Sequence, residues 1–223
     1  MTIDELMALA LFDLDNTLLA GDSDYLWGMY LAEHGIVDRD SYLQENQRYY
    51  DEYKNGTLDI HEFLAFSLRP LAENNIDLLN KLHQQFMADI IRPLMSPAAF
   101  TLIEKHRTAG DTLVVITATN RFVTTPIVKA FGIDNLLATE PEMNSHGYTG
   151  KVAGVPCFRE GKVTRLKSWL AEHNLNLQGS WFYSDSHNDL PLLREVAHPV
   201  AVDPDEQLKA VAVEKNWPVI SLR

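Results

Sequence analysis

Two aspartates one residue apart, Asp13 and Asp15, stand at the end of the apolar run Ala8-Leu9-Ala10-Leu11-Phe12. A short run of this kind reads as a strand buried on both faces. Alternation along it sends Asp13 and Asp15 to the same side, where strand gives way to loop. Two carboxylates forced together in a half-desolvated cleft raise one pKa or demand a cation between them, so the pair calls for a metal, a shared proton, or both. A helix N-cap is the competing reading of Asp15-Asn16-Thr17. Further along, Thr117 ends the apolar stretch Thr112-Leu113-Val114-Val115-Ile116, and Asp185 and Asp189 follow Trp181-Phe182-Tyr183-Ser184. Lys162 opens a helical pattern after Gly161. Carboxylates, a hydroxyl and an ammonium delivered by separate strands of one sheet are what metal-assisted phosphoryl transfer requires. Asp13 and Asp185 with a backbone carbonyl and waters suit Mg²⁺, which takes hard oxygen ligands.

These groups need a scaffold that brings strand ends together. From Gly21 to Met95 the chain shows polar and aromatic helical patterns and no convincing strand. Helices are predicted over Asp24 to His34, Asp40 to Lys54, Asp59 to Leu68 and Ile76 to Ile90, punctuated at Asn55-Gly56, Arg69-Pro70 and Arg92-Pro93. From Ser96 strands and helices alternate. Helices are expected from Ser96-Pro97 to Thr108, Phe122 to Phe131, Gly161 to His173, Leu190 to Val196 and Asp205 to Asn216. Strands are expected over Thr112 to Thr117, Asn135 to Thr139, Ser180 to Ser184, Val200 to Val202 and Val219 to Leu222, with a hairpin between Glu142 and Val155. The expectation is an α/β fold, a three-layer parallel sheet with helices on both faces, built from residues 1–20 and 96–223. An all-helical cap, residues 21–95, is inserted after the first strand, where a lid over the loop after Asp15 belongs. Ligands of such sheets bind beyond the carboxyl ends of the strands.

The 223 residues carry a net charge of −12, which repels phosphate backbones and anionic lipid and argues against nucleic acid or a membrane as partner. No stretch is long and apolar enough to span a bilayer. Asp4 and Glu5 stand where a secretory signal has positive charge, and the lone Cys157, read as a small buried hydrophobe, suits a reducing compartment. A cytoplasmic protein is expected, of an oligomeric state the sequence does not fix.

Four separated motifs resemble the haloacid dehalogenase-like hydrolases, in their phosphoserine-phosphatase-like branch. Phe12-Asp13-Leu14-Asp15-Asn16-Thr17-Leu18 resembles the first, Ile116-Thr117-Ala118 the second, Lys162 in Glu160-Gly161-Lys162 the third, and Asp185-Ser186-His187-Asn188-Asp189 the fourth. The resemblance spans nearly the whole chain. It implies a phosphatase of a small phosphorylated metabolite, with Asp13 as nucleophile forming an aspartyl-phosphate and Asp15 as proton shuttle. It further implies Mg²⁺ held by Asp13, the Asp15 carbonyl and Asp185 with Asp189 nearby, and phosphoryl contacts from Thr117, Lys162 and Asn188. Lys151 competes with Lys162 but reads as lying on the exposed hairpin. His187 reads as a solvated loop imidazole.

Specificity is expected from the cap. In the phosphoserine phosphatases a Glu nine residues past the nucleophile reads the substrate amine and a cap Arg its carboxylate; Asp22 stands at that distance here, and the Arg position falls on Ala65. Arg69 and Arg48 are candidate replacements. A substrate with a cationic end and no carboxylate, such as histidinol phosphate, fits Asp22 better than phosphoserine does. Tyr25, Trp27, Tyr30, Tyr49, Tyr50 and Tyr53 read mostly as packing within the cap. Phosphoserine phosphatase is the alternative; a receiver-like phosphorylation switch and a non-catalytic binding protein are alternatives from other classes.

Overall fold

The computed structural model describes residues 8–223, so the acidic start at Asp4 and Glu5 lies outside the described residues. Strands β1 (Leu9–Phe12), β2 (Thr112–Asn120), β3 (Asn135–Thr139), β6 (Trp181–Ser184), β7 (His198–Val202) and β8 (Val219–Ile220) form one parallel sheet in the order β3-β2-β1-β6-β7-β8. Strands β4 (Pro141–Asn144) and β5 (Gly147–Val152) make the expected antiparallel hairpin apart from it. The order reverses at β1, because the chain goes outward to β2 and β3 on one side and later to β6, β7 and β8 on the other. The crevice of such a sheet opens at that reversal, beyond the end of β1. Strand β2 continues three residues past the predicted end at Thr117.

Period-two alternation divides the core. Leu9 and Leu11 join Val114, Ile116 and Phe182 on one face, against Leu166 and Leu170 of α9 (Glu160–His173) and Leu208 of α10 (Glu206–Lys215). Ala10 and Phe12 join Val115 on the other, against Val123 and Ile127 of α8 (Arg121–Ala130) and Ile103 of α7 (Pro97–Ala109).

Between β1 and α7 come helices α1 (Ser23–Glu33), α2 (Arg39–Asn55), α3 (Ile60–Ser67), α4 (Arg69–Glu73), α5 (Ile76–Phe86) and α6 (Arg92–Leu94), with no strand. Asp22, Asp38, Asp59 and Asn75 cap α1, α2, α3 and α5 by accepting backbone N–H groups of the first turn. The segment leaves and rejoins the sheet at one point, where Leu19 bridges Met95 and the Ala20 N–H donates to the Leu94 carbonyl at 2.9 Å. Two of the predicted breaks differ. Pro70 and Pro93 each sit in the first turn of a further short helix, where the missing N–H costs no hydrogen bond. Trp27 and Leu31 of α1 and Phe86 of α5 pack into the same apolar cluster as Phe12 and Val115, so part of the insertion shares the core of the sheet. A smaller cluster around Tyr42, Tyr49 and Phe66 belongs to the insertion, closed by Phe158 from the loop before α9. Among the described residues no helix is long and apolar enough to cross a membrane.

Candidate active site

Beyond Phe12 the chain leaves the strand and makes one wide turn over Leu14–Leu18, closed by the Leu19 N–H on the Leu14 carbonyl at 3.0 Å, with Asn16 in the left-handed region at φ 55°. Asp22, not Asp15, is the N-cap of the next helix, although the Asp15 carboxylate also accepts that helix's first N–H, from Ser23. The turn leaves Asp13 and Asp15 lining the same cavity.

Asp13 is only 4% exposed. Its Oδ1 accepts a 2.7 Å hydrogen bond from Lys162 Nζ, and its Oδ2 lies 3.3 Å from the Thr17 hydroxyl. That hydroxyl lies nearer Asp185, 3.1 Å from Oδ1, and accepts the Asp185 N–H. Thr17 thus ties the end of β1 to the end of β6. Lys162 reaches Asp13 from below because Asp13 shares the parity of Leu9 and Leu11, and Lys162, Leu166 and Leu170 make the one buried stripe of α9. The approach is tight: a Cβ on Gly161 would run into the Pro156 carbonyl, so only glycine precedes the lysine. Lys151 is exposed on the hairpin.

Asp189 grips the other side of Lys162, at 2.7 and 2.8 Å, and accepts the Ser184 hydroxyl at 2.7 Å. With its oxygens so engaged, Asp189 is placed to orient the lysine rather than to ligate a metal directly. Asp15 is held by the Ser23 N–H at 2.6 Å on Oδ1 and by the Thr119 and Thr117 hydroxyls at 2.8 and 3.3 Å on Oδ2. Thr119 was not among the predicted site residues; the alternation of Thr117-Ala118-Thr119 on an extended strand places both hydroxyls on one face and signals it.

Four carboxylates therefore share this floor with one ammonium, which pairs with Asp13 and Asp189. Burial pushes Asp13 up to about 7, Lys162 opposing and Asp189 and Asp15 adding to it. Burial and the charges of Asp13 and Asp189 hold Asp185 well above the carboxylate range. Burial works to lower Lys162, yet Asp13 and Asp189 outweigh it and hold its pKa above the usual value. The excess negative charge is what a divalent cation would balance. Among the described residues no group of three His, Cys, Asp or Glu side chains forms a metal cage. Mg²⁺ does not need one, since it keeps several waters and binds through one or two carboxylates. Asp13 and Asp185, tied together through Thr17, fit that requirement with the carbonyl of Asp15.

Above these groups lies a cavity with about 580 Å³ of free space, its mouth included. Its wall comes from Asp22, Asp24 and Tyr25 of α1 and its cap, and from Asn46, Tyr49, Tyr50 and Tyr53 of α2. Leu58, Ile60, Phe63 and Phe158 complete it. The predicted aromatic residues divide: Trp27 and Tyr30 are core, Tyr25, Tyr50 and Tyr53 face the cavity, and Tyr49 does both, lining the cavity while packed with Tyr42 and Phe66. Asp22 lines it while also capping α1 through one oxygen, which accepts from Asp24 and Tyr25 N–H at 3.0 and 2.9 Å.

Three expectations are corrected. Arg69 is exposed, its guanidinium 5.9 Å from the Phe66 ring and away from the cavity, because Pro70 and Leu71 take the buried positions of its short helix. Arg48 lies over the Tyr49 ring at 4.0 Å and pairs with Glu52 at 2.9 Å. His187 is no solvated loop imidazole, since its side chain is 11% exposed and pairs with Asp205 at 2.7 Å. Asn188 is buried, but its amide donates to the Tyr53 carbonyl at 3.0 Å and to Ser186, and its Oδ1 accepts from Arg159 at 2.9 Å. Arg159, which sequence reasoning passed over, also donates to the Gly56 carbonyl at 2.6 Å. Its backbone sits at φ 49°, rare for a side chain of this size. Arg159 and Asn188 together strap the end of α2 to the loops before α9 and after β6.

A family model described as haloacid dehalogenase-like hydrolase matches residues 10–194. The chain is 48% identical to a histidinol-phosphatase of Neisseria meningitidis over 96% of its own length and 99% of that protein. Among solved structures, a Bordetella pertussis protein of unknown function superposes with a TM-score of 0.92 at 43% identity, covering 98% of this chain and 100% of that one. A substrate-bound phosphoserine phosphatase superposes with a TM-score of 0.72 at 18% identity, covering 99% of this chain and 95% of that one, a likeness of fold.

Proposed function

The chain belongs to the haloacid dehalogenase-like hydrolases and is a phosphoric monoester hydrolase; from that premise we propose that it cleaves a small phosphorylated amino alcohol, histidinol phosphate foremost, through an aspartyl-phosphate on Asp13. In this reading Asp13 attacks phosphorus and the bond from phosphorus to the alcohol oxygen breaks. Asp15 gives that oxygen its proton, then takes one from the water that opens the aspartyl-phosphate and releases inorganic phosphate. Its bonds to Thr119, Thr117 and Ser23 orient it for both transfers. Lys162 aims Asp13 and offers positive charge to the phosphoryl oxygens, with Thr117 beside it. Mg²⁺, held by Asp13, Asp185 and the Asp15 carbonyl, would supply Lewis-acid charge to the same oxygens. We assign Asn188 to holding the cap rather than the phosphoryl group, because its amide is already engaged. Residues 21–95 act as the cap that selects the substrate, and the free, buried Cys157 fits a reducing cytoplasm.

The observation that carries the choice of substrate is the charge of the wall. Asp22 and Asp24 line the cavity, and among its described lining residues there is no Lys, Arg or His. Phosphoserine would bring a carboxylate to that wall with nothing to receive it, whereas a cationic end meets unbalanced carboxylates. Phosphate release from histidinol phosphate and from phosphoserine, with and without Mg²⁺, tests the proposal. Histidinol phosphate is expected to have the higher kcat/KM, lost in Asp13→Asn and lowered in Asp22→Ala. Preference for phosphoserine with Asp22→Ala unaffected would remove the cationic-end reading.

A further inference from the structure

The turn that carries Asp15 and Thr17 is held from outside the cavity by a side chain far along the sequence. Arg223 Nη2 donates to the Asn16 carbonyl at 2.5 Å, and its Nη1 to the Thr17 carbonyl at 3.4 Å. These carbonyls belong to the peptide planes on either side of Thr17, and a planar peptide whose oxygen is fixed is fixed as a whole. The contact therefore sets the backbone of the residue whose hydroxyl sits between Asp13 and Asp185. Asn16 needs such a hold. Its φ of 55° lies in the left-handed region, where a residue with a side chain stays only if its surroundings keep it there. The Gly21 carbonyl takes its N–H at 2.9 Å, and Arg223 takes its oxygen.

Arg223 is itself anchored. Leu222 is buried in the same cluster as Phe12, and its N–H donates to Asp203 Oδ2 at 2.9 Å, just past the end of β7. Two residues on, the Asp205 N–H donates to the Asp185 carbonyl at 2.9 Å, and the Asp205 carboxylate accepts the His187 N–H at 2.8 Å. The contacts close a ring that runs from Arg223 through Thr17, Asp185, Asp205 and Asp203 back to Leu222. Within it Asp185 is gripped on both sides of its backbone, its N–H by the Thr17 hydroxyl at 3.1 Å and its carbonyl by Asp205.

Resting on the reading of the floor given above, we infer that Arg223 is a positioning residue of the phosphatase reaction: it sets Thr17 and, through Thr17, the spacing of Asp13 and Asp185, the two carboxylates assigned to Mg²⁺. A guanidinium suits the task because its rigid planar fork reaches two successive carbonyls at once, where a lysine offers a single nitrogen. The ion pair with Asp203, at 3.9 Å and partly exposed, adds little by itself. Fastening β8 to the sheet gives Arg223 no reason to reach the turn after β1, since β8 is already paired with β7 and Leu222 is already buried.

Arg223→Met keeps the stem of the side chain and removes its donors, and circular dichroism establishes whether it folds. Mn²⁺, which takes the same hard oxygen ligands as Mg²⁺, is titrated into the substrate-free protein and followed by electron paramagnetic resonance. Turnover of p-nitrophenyl phosphate, which makes no demand on the charges of the cap, gives kcat and KM at saturating Mg²⁺. Mn²⁺ affinity and kcat are each expected to fall about 10-fold, the low end for residues that hold a metal's ligands in place, while KM moves less than about twofold because the wall is untouched. Arg223→Lys is expected to fall between Arg223→Met and wild type. Mn²⁺ affinity or kcat unmoved in a folded Arg223→Met overturns the positioning role and leaves the floor as described; if that variant does not fold, Arg223→Lys decides by the same two values. Asp13→Asn with wild-type turnover overturns the reading of the floor, and the role of Arg223 with it.

Discussion

The floor of the cavity and its wall both carry carboxylates withdrawn from water, and they balance them differently. On the floor Asp13 and Asp189 share Lys162, Asp15 accepts from Thr119, Thr117 and Ser23, and Asp185 is tied to Thr17. Those partners come from strand ends, from the turn after β1 and from the helix that packs under the sheet, with Ser23 at the start of α1 the one contribution from the insertion. On the wall Asp22 has backbone donors and Asp24 the distant Asn120, with no cation opposite either. The floor is organised by the protein itself. The wall has no cation among its lining residues, and burial raises both of its acids, so a proton or a ligand cation balances them.

The sharpest way to break this contrast is at Asp13. Asp13→Asn keeps the volume and removes the nucleophile, so steady-state phosphate release is expected to fall about 10⁴-fold or more on every substrate alike. A loss confined to amino substrates would move Asp13 from the floor to the wall. Lys162→Met comes next. It leaves Asp13 and Asp189 buried without their ammonium, and breaking a buried pair from one side costs on the order of 3–5 kcal/mol. Urea unfolding of the metal-free protein should show that loss. Unchanged stability would mean that the two acids simply protonate.

The floor was largely legible from sequence because strands and helices impose periodicities on it. Asp13, Thr117 and Asp185 each end a run of apolar residues, and Lys162 starts a helix whose fourth and eighth following residues, Leu166 and Leu170, are buried with it. Thr119 was legible too, had β2 been extended past Thr117. The wall was less so. Arg69 read as a cap cation and turned outward, since an inserted helix pair has no sheet edge to fix which face looks inward. Arg159 and His187 fasten the cap through contacts at Gly56 that join distant parts of the chain, and no local pattern announces such contacts. Helix starts were predicted to within one residue where an Asp, Asn or Ser caps them, the end of α5 was set four residues too far, and the breaks were misjudged at Pro70 and Pro93, where a proline opens a turn instead of closing one.

A pH series separates the two regions more finely. Asp22, pushed by burial and then by Asp15 up to about 7 from an ordinary 3.8, is raised in the folded state. Its contribution to stability is therefore fully present below about 3.8 and is lost as pH rises through about 7. At about 1.4 kcal/mol per pKa unit the loss is on the order of a few kcal/mol. Asp13 behaves with the same sign in the metal-free protein. Urea midpoints between pH 4 and 8 should thus fall in wild type, fall less with Mg²⁺, which balances the floor alone, and fall least in Asp22→Asn with Mg²⁺. A slope that Mg²⁺ abolishes by itself would place the whole effect on the floor.

The smallest expected effect tests whether the strap at the end of α2 serves the wall only. Gly56 ends that helix at φ 71°, and its carbonyl receives Arg159. A Cβ there would stand 2.7 Å from His187 Nε2 and 3.3 Å from Arg159 Nη2. Gly56→Ala therefore adds the left-handed cost of about 1–2 kcal/mol and pushes both fasteners outward. Helix α2 carries Tyr49 and Tyr50 to the wall, and Tyr53 is its one side chain in the field of Asp13, Asp185 and Asp189. Loosening it should raise KM for histidinol phosphate several-fold while kcat moves less than about twofold, because interactions made equally in the ground and transition states act on KM alone. If kcat falls as far as KM rises, the strap also aligns Asp13 and Asp15, and the division between a floor built on the sheet and a wall built on the inserted helices fails at α2.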